Sequence, residues 1–94
     1  AFGKTKDVID LGPLAEKWRV FGWDVHEVDG HDYDGLQSTL RSMSTESGPP
    51  HVLIAKTLCG KGVSFMEGQV AWHYMPLTDD QYMLALEELE AGRT

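Results

Sequence analysis

One cysteine, Cys59, stands among the 94 residues. No disulfide can close within the chain, and the composition fits a reducing compartment, the cytoplasm. No apolar run approaches the roughly 20 residues needed to cross a bilayer, and no signal peptide opens the sequence. Basic residues are scarce: 8 Lys and Arg stand against 15 Asp and Glu, a formal net charge of −7. Surfaces that hold phosphate backbones or anionic lipids need Lys/Arg clusters, so neither nucleic acid nor membrane is an expected partner. Low-complexity stretches and internal repeats are missing too. The first residue is Ala1 rather than Met, which suggests a chain trimmed, processed or cut from something longer.

What is present reads as a small α/β unit. The apolar fraction of 41% and charged fraction of 24% are ordinary for a globular protein. At this length there is one domain at most, with a modest core. Residues 1–9 carry no period. Asp10 is placed to cap a helix holding Gly12 and Pro13 in its first turn, with Leu11, Leu14, Ala15 and Trp18 as its apolar stripe, Phe21 adjoining it and Gly22 ending it. A short strand over residues 23–28 runs into the turn pair Asp29-Gly30. Asp32 or Asp34 caps a second helix with Leu36, Leu40 and Met43 on one face, and residues 44–50 form a loop ending in two prolines. Val52, Leu53, Ile54 and Ala55 are a continuous apolar run, the mark of a strand covered on both faces. Residues 63–77 are irregular and rich in large side chains. Thr78 and Gln81 form a capping box, and behind it Tyr82, Ala85, Leu86 and Leu89 line a last helix that Gly92 closes.

A helix between two strands implies a right-handed crossover and parallel pairing. Two parallel strands cannot cover both faces of a sheet or satisfy their own outer edges. The run at residues 52–55 therefore expects neighbours from other polypeptide.

Four places could carry chemistry. Gly60-Lys61-Gly62 follows the buried strand, where open α/β sheets receive ligands, although the tripeptide alone reads as a plain turn. Trp72-His73-Tyr74 lies in the long loop; a histidine there can donate to a developing oxyanion or carry a proton, or can simply pack between rings. His26, Asp29, His31, Asp32 and Asp34, with His51 further on, are metal-capable types without a recognised ligand spacing, and a structural role is expected. No metal ligand is expected in this chain. Cys59 has no base near it in sequence and reads as a buried small apolar residue.

Taken together, the segments cease to be generic. Gly3-Lys4-Thr5-Lys6-Asp7-Val8-Ile9-Asp10-Leu11, then Leu14-Ala15-Glu16-Lys17-Trp18-Arg19-Val20-Phe21-Gly22-Trp23, then Glu27-Val28-Asp29-Gly30-His31-Asp32 closely resemble the N-terminal section of bacterial transketolases. Pro50-His51-Val52-Leu53-Ile54-Ala55-Lys56-Thr57, Gly60-Lys61-Gly62-Val63-Ser64-Phe65-Met66-Glu67 and Trp72-His73 continue the resemblance in order.

The resemblance implies that residues 1–94 are the C-terminal portion of a thiamine-diphosphate-binding domain. The fold would be part of a three-layer α/β/α arrangement with parallel strands, its sheet completed by other polypeptide. The implied activity is transfer of a two-carbon ketol unit between sugar phosphates, by a cofactor held with a divalent metal, magnesium or calcium. In the family a Gly-Asp-Gly segment and a following Asn hold that metal, and a glutamate of the other domain activates the aminopyrimidine. None of these lies in this sequence, so the chain would need transketolase-like partner polypeptides carrying them and would be inactive alone. By resemblance, Leu58, Cys59 and Gly60 lie against the cofactor, and His73 stands near the reacting carbon as the catalytic side chain. Two positions depart from the pattern: Tyr74 stands where many transketolases have Gly, narrowing the substrate channel, and Cys59 is itself unusual. The alternatives are a related thiamine-diphosphate synthase or 2-oxo acid decarboxylating enzyme, and a non-catalytic piece that only completes a partner's sheet.

Overall fold

The computed structural model describes residues 3–8, 10–43 and 46–92. It divides into two compact units, one formed by residues 9–57 and the other by residues 1–8 with 58–94. The order of elements is α1 (Thr5–Val8), α2 (Leu14–Val20), β1 (Asp24–Asp29), α3 (Tyr33–Ser42), β2 (His51–Lys56), a 3₁₀ turn (Val70–His73) and α4 (Asp79–Ala91). Among the described residues no helix is long and apolar enough to cross a membrane.

The first unit holds the sheet. β1 and β2 pair in parallel, with Asp24 opposite His51, His26 opposite Leu53 and Val28 opposite Ala55. Strand alternation puts Asp24, His26 and Val28, with His51, Leu53 and Ala55, on one face. On the other face Lys56 Nζ lies 3.8 Å from Glu27 Oε1. The expected helix–strand–helix–strand order and parallel pairing are both present. Among the described residues, however, the sheet has only these two strands. Residues 51–54 are half-buried and Ala55 is exposed, so the cover expected on both faces of residues 52–55 is not supplied within this unit.

Helix boundaries show where local chemistry overrode the expected cap. Asp10 does not cap α2; its Oδ1 accepts from the Gly12 amide at 2.8 Å, making a tight turn before the helix. Pro13 then sits at the N-cap, outside the first turn, without a side-chain cap bond. α2 ends at Phe21, with the Gly22 amide bonded to the Arg19 carbonyl at 2.9 Å. The Trp18 and Trp23 rings meet edge to face at 4.8 Å, tying α2 to the start of β1. Phe21 is 82% exposed, so the stripe narrows to half-buried Ala15 and Trp18. Of the two candidate caps for α3, Asp32 is the one used: its Oδ1 accepts from the Gly35 amide at 3.0 Å. Leu36 and Met43 are half-buried, but Leu40 is exposed because a two-stranded sheet is narrower than the helix stripe.

In the second unit α1 is a single turn, too short to leave a period in the sequence. α4 opens with the capping box: the Gln81 amide donates to Thr78 Oγ1 at 3.2 Å and the Thr78 amide to Gln81 Oε1 at 2.9 Å. Of the expected face, one residue is buried. Ala85 is buried, whereas Tyr82, Leu86 and Leu89 are exposed, as are Met83 and Leu84. The loop meets the helix at Glu88, at i+3 from Ala85, and at Leu89, whose Cδ2 would lie 3.1 Å from a Cβ placed on Gly62. Val63 and Ala85 are the buried apolar residues among those described.

Candidate functional site

The expected cofactor-facing residues and His73 all fall in the unit formed by residues 1–8 and 58–94. Leu58, Cys59 and Gly60 begin a chain of tight turns. The Lys61 amide bonds the Leu58 carbonyl at 3.2 Å, the Val63 amide bonds Gly60 at 3.1 Å, and the Gly68 amide closes the loop onto Cys59 at 2.9 Å. Gly60 has φ +75°, and a Cβ there would lie 2.6 Å from the Met66 carbonyl oxygen and 2.7 Å from its carbon. Only glycine takes that conformation at so close a backbone approach. The sequence reading of a turn is therefore right, and it is a turn folded back on itself. Cys59 is exposed on this turn, not buried as expected.

His73 ends the 3₁₀ turn and is exposed. The turn is tied to the loop through its neighbour: Trp72 Nε1 donates to the Phe65 carbonyl at 3.0 Å, and the Phe65 and Trp72 rings meet at 5.4 Å and 62°. Tyr74 lies edge-on to the imidazole, centroids 4.9 Å apart. His73 is thus not sandwiched between the two rings that flank it in sequence. Trp72 turns toward the loop and Tyr74 touches the imidazole.

A strap not anticipated from sequence fastens this loop to α4. The Ser64 hydroxyl donates to Glu88 Oε1 and the Ser64 amide to Glu88 Oε2, each at 2.5 Å. These bonds, the hydroxyl's first and the amide's second, hold the Glu88 carboxyl below its ordinary range. A separation of 24 residues leaves no local signal from which to foresee the pair.

The metal-capable residues separate into two groups. Asp29 Oδ1 accepts from the His31 amide at 2.9 Å, and Asp32 caps α3, both structural roles as expected. Asp34 lies in the first turn of α3. His26 and His51, by contrast, come together: His26 Nε2 and His51 Nδ1 are 3.1 Å apart. Asp24, not singled out from sequence, joins them, its Oδ2 lying 3.3 Å from His51 Nδ1 and 3.7 Å from His26 Nε2. Alternation along β1 would have put Asp24 and His26 on one face. That His51 faces them depends on the strand register, which the sequence does not state.

Residues 3–91 match the family described as "Transketolase, thiamine diphosphate binding domain". The chain is 46% identical over 88 residues to one of the apulose-4-phosphate transketolase subunits of Actinobacillus succinogenes, covering 94% of this chain and 32% of that protein. It is 41% identical over 88 residues to a 6-deoxy-6-sulfo-D-fructose transketolase subunit from a Clostridium species, with the same coverage. Transketolase-like protein 2 of Mus musculus is 33% identical over 66 residues, 70% of this chain and 10% of the mouse protein. The chain spans about a third of the length of the bacterial relatives. With its parallel α/β core and a family match from residue 3 to residue 91, this chain belongs to the transketolase family, within its thiamine-diphosphate-binding domain.

Proposed function

We propose that this chain is the C-terminal portion of the thiamine-diphosphate-binding domain of a transketolase-like transferase, moving a two-carbon ketol unit between sugar or sugar-phosphate substrates. The observation carrying the reading is the family match over nearly the whole chain, with relatives named as transketolase subunits. In this reading other polypeptide, carrying the ligands of a magnesium or calcium ion and the aminopyrimidine-binding groups, completes both the sheet and the site. The half-buried strand β2 and the exposed apolar residues of α4 support that need for cover.

The residues present suit one wall of a cofactor cleft rather than its anchor. Leu58, exposed Cys59 and the bare backbone of Gly60 offer apolar and soft surface for a ring, and none of the three carries charge for a diphosphate. When bound, thiamine diphosphate supplies the nucleophilic carbon and the electron sink for carbon–carbon cleavage. His73 donates a hydrogen bond to a substrate oxygen as that oxygen gains charge, and the Trp72–Phe65 bond fixes the turn from which it reaches. Tyr74, edge-on to the imidazole, limits the ring's swing and narrows the approach for acceptors.

The test uses the assembled enzyme. Turnover is measured with ketose-phosphate donors and with pyruvate, for the parent and for His73→Ala. Ketol transfer from the sugar donor, reduced on the order of 10²–10³-fold in the variant with cofactor affinity nearly unchanged, is the expected result. Decarboxylation of pyruvate without ketol transfer would favour a related thiamine-diphosphate enzyme. Parent activity with His73→Ala within about threefold of it, far below an oxyanion donor's contribution, would leave the chain only completing a sheet.

A further inference from the structure

The Asp24, His26 and His51 cluster has no part in the proposed transfer reaction. Its three side chains project from one face of the sheet, two from β1 and one from the first residue of β2. His26 and His51 are about one-fifth exposed, with side-chain values of 23% and 20%, while Asp24 is 51% exposed. Their nearest donor atoms are 3.1, 3.3 and 3.7 Å apart. A tetrahedral zinc ion with bonds of about 2.0–2.1 Å spaces its ligand atoms about 3.3–3.4 Å apart. The three atoms therefore outline one face of such a tetrahedron, and within the described residues no other group of three metal-capable side chains converges like this.

His51 Nδ1 faces both His26 Nε2 and Asp24 Oδ2. An Nδ1–H there can be shared between the carboxylate and the His26 Nε2 lone pair, and a cation can take the place of that proton. A cation draws on all three donor atoms together. Two imidazoles and one carboxylate select a zinc-class transition ion over magnesium or calcium, which take oxygen ligands.

We propose that Asp24, His26 and His51 form a binding site for a zinc-class divalent ion that pins β1 to β2, its fourth position left to water. The connection from His26 to His51 runs through all of α3, so the ion fixes the strand pairing from side chains far apart in sequence. Binding to the folded arrangement alone also stabilises it by mass action. The proposal does not depend on the ketol-transfer reading.

The experiment takes the tag-free assembled enzyme, stripped with chelator and then saturated with magnesium and thiamine diphosphate. Zinc is titrated by calorimetry, and cobalt(II) by visible absorption, with the magnesium held in excess. One saturable equivalent per chain and the intense cobalt bands of a four-coordinate site are expected. His26→Gln and His51→Gln should each weaken zinc at least about tenfold, the lower bound seen even for residues that only support a ligand. No saturable equivalent, or equal affinity in parent and both variants, overturns the proposal. Should a variant fail to assemble, zinc-edge X-ray absorption on the parent decides the matter: two imidazole ligands sustain the site, and fewer refute it.

Discussion

Replacing Gly60 with alanine isolates the energetics of the loop expected to face the cofactor. Two penalties apply. At φ +75° an L-residue pays about 1–2 kcal/mol relative to glycine. The new methyl would also meet the Met66 carbonyl oxygen at 2.6 Å and carbon at 2.7 Å, far inside the contact optimum of about 3.5–4.0 Å. Both atoms are backbone and cannot rotate away, so the loop must shift, at about 1–3 kcal/mol by analogy with overpacking. The sum is about 2–5 kcal/mol. Gly68→Ala supplies the control within the same loop. Its φ is +68°, but its nearest neighbour would be Leu58 Cδ1 at 3.8 Å, leaving only the conformational penalty. The assay is hydrogen exchange on the assembled enzyme, following peptides that cover residues 59–69 and the bond from the Gly68 amide to the Cys59 carbonyl. Gly60→Ala should lose at least about fivefold more protection there than Gly68→Ala does, the close approach alone being worth about 1–3 kcal/mol. Equal protection in the two variants would refute the close-approach argument and show that the loop moves freely.

Three further outcomes are expected. Because the Glu88 carboxyl is held below its ordinary range, the Ser64 strap is at full strength above the ordinary glutamate value of about 4.3 and is lost as pH falls through the lower folded value. Ser64→Ala should return the carboxyl toward that ordinary value in an NMR titration, and no movement would mean that the strap does not set it. Trp72→Phe keeps a ring against Phe65 but removes the donor to its carbonyl; a cost of about 0.5–1.5 kcal/mol is expected in denaturant unfolding of the complex, and a neutral variant would count against the anchor. The chain by itself should lack a cooperative unfolding transition by circular dichroism, because Val63 and Ala85 are a very small core. A sharp transition with native-like helix content would contradict that.

Local signals were the readable ones. Thr78 and Gln81 form the expected capping box, Asp32 caps α3, and the apolar run at residues 52–55 lies within a strand paired in parallel. Each depends on residues a few positions apart or on a short periodic run. Misreadings arose where neighbours competed: Asp10 chose a tight turn with Gly12 over the helix start, and of the expected face of α4 Ala85 is buried while the larger Tyr82, Leu86 and Leu89 stay partly exposed. The turn at Gly60 was legible, but its approach to Met66 was not. The meetings of Ser64 with Glu88 and of His51 with His26 and Asp24 join residues more than twenty apart. They follow from tertiary placement, for which sequence spacing gives no rule.

Each of the two strands has one outer edge that no described residue pairs. An open strand edge recruits whatever backbone it meets, including that of another copy, and cells hand such surfaces to chaperones and proteases. A further strand laid along either edge would protect the pair from such association.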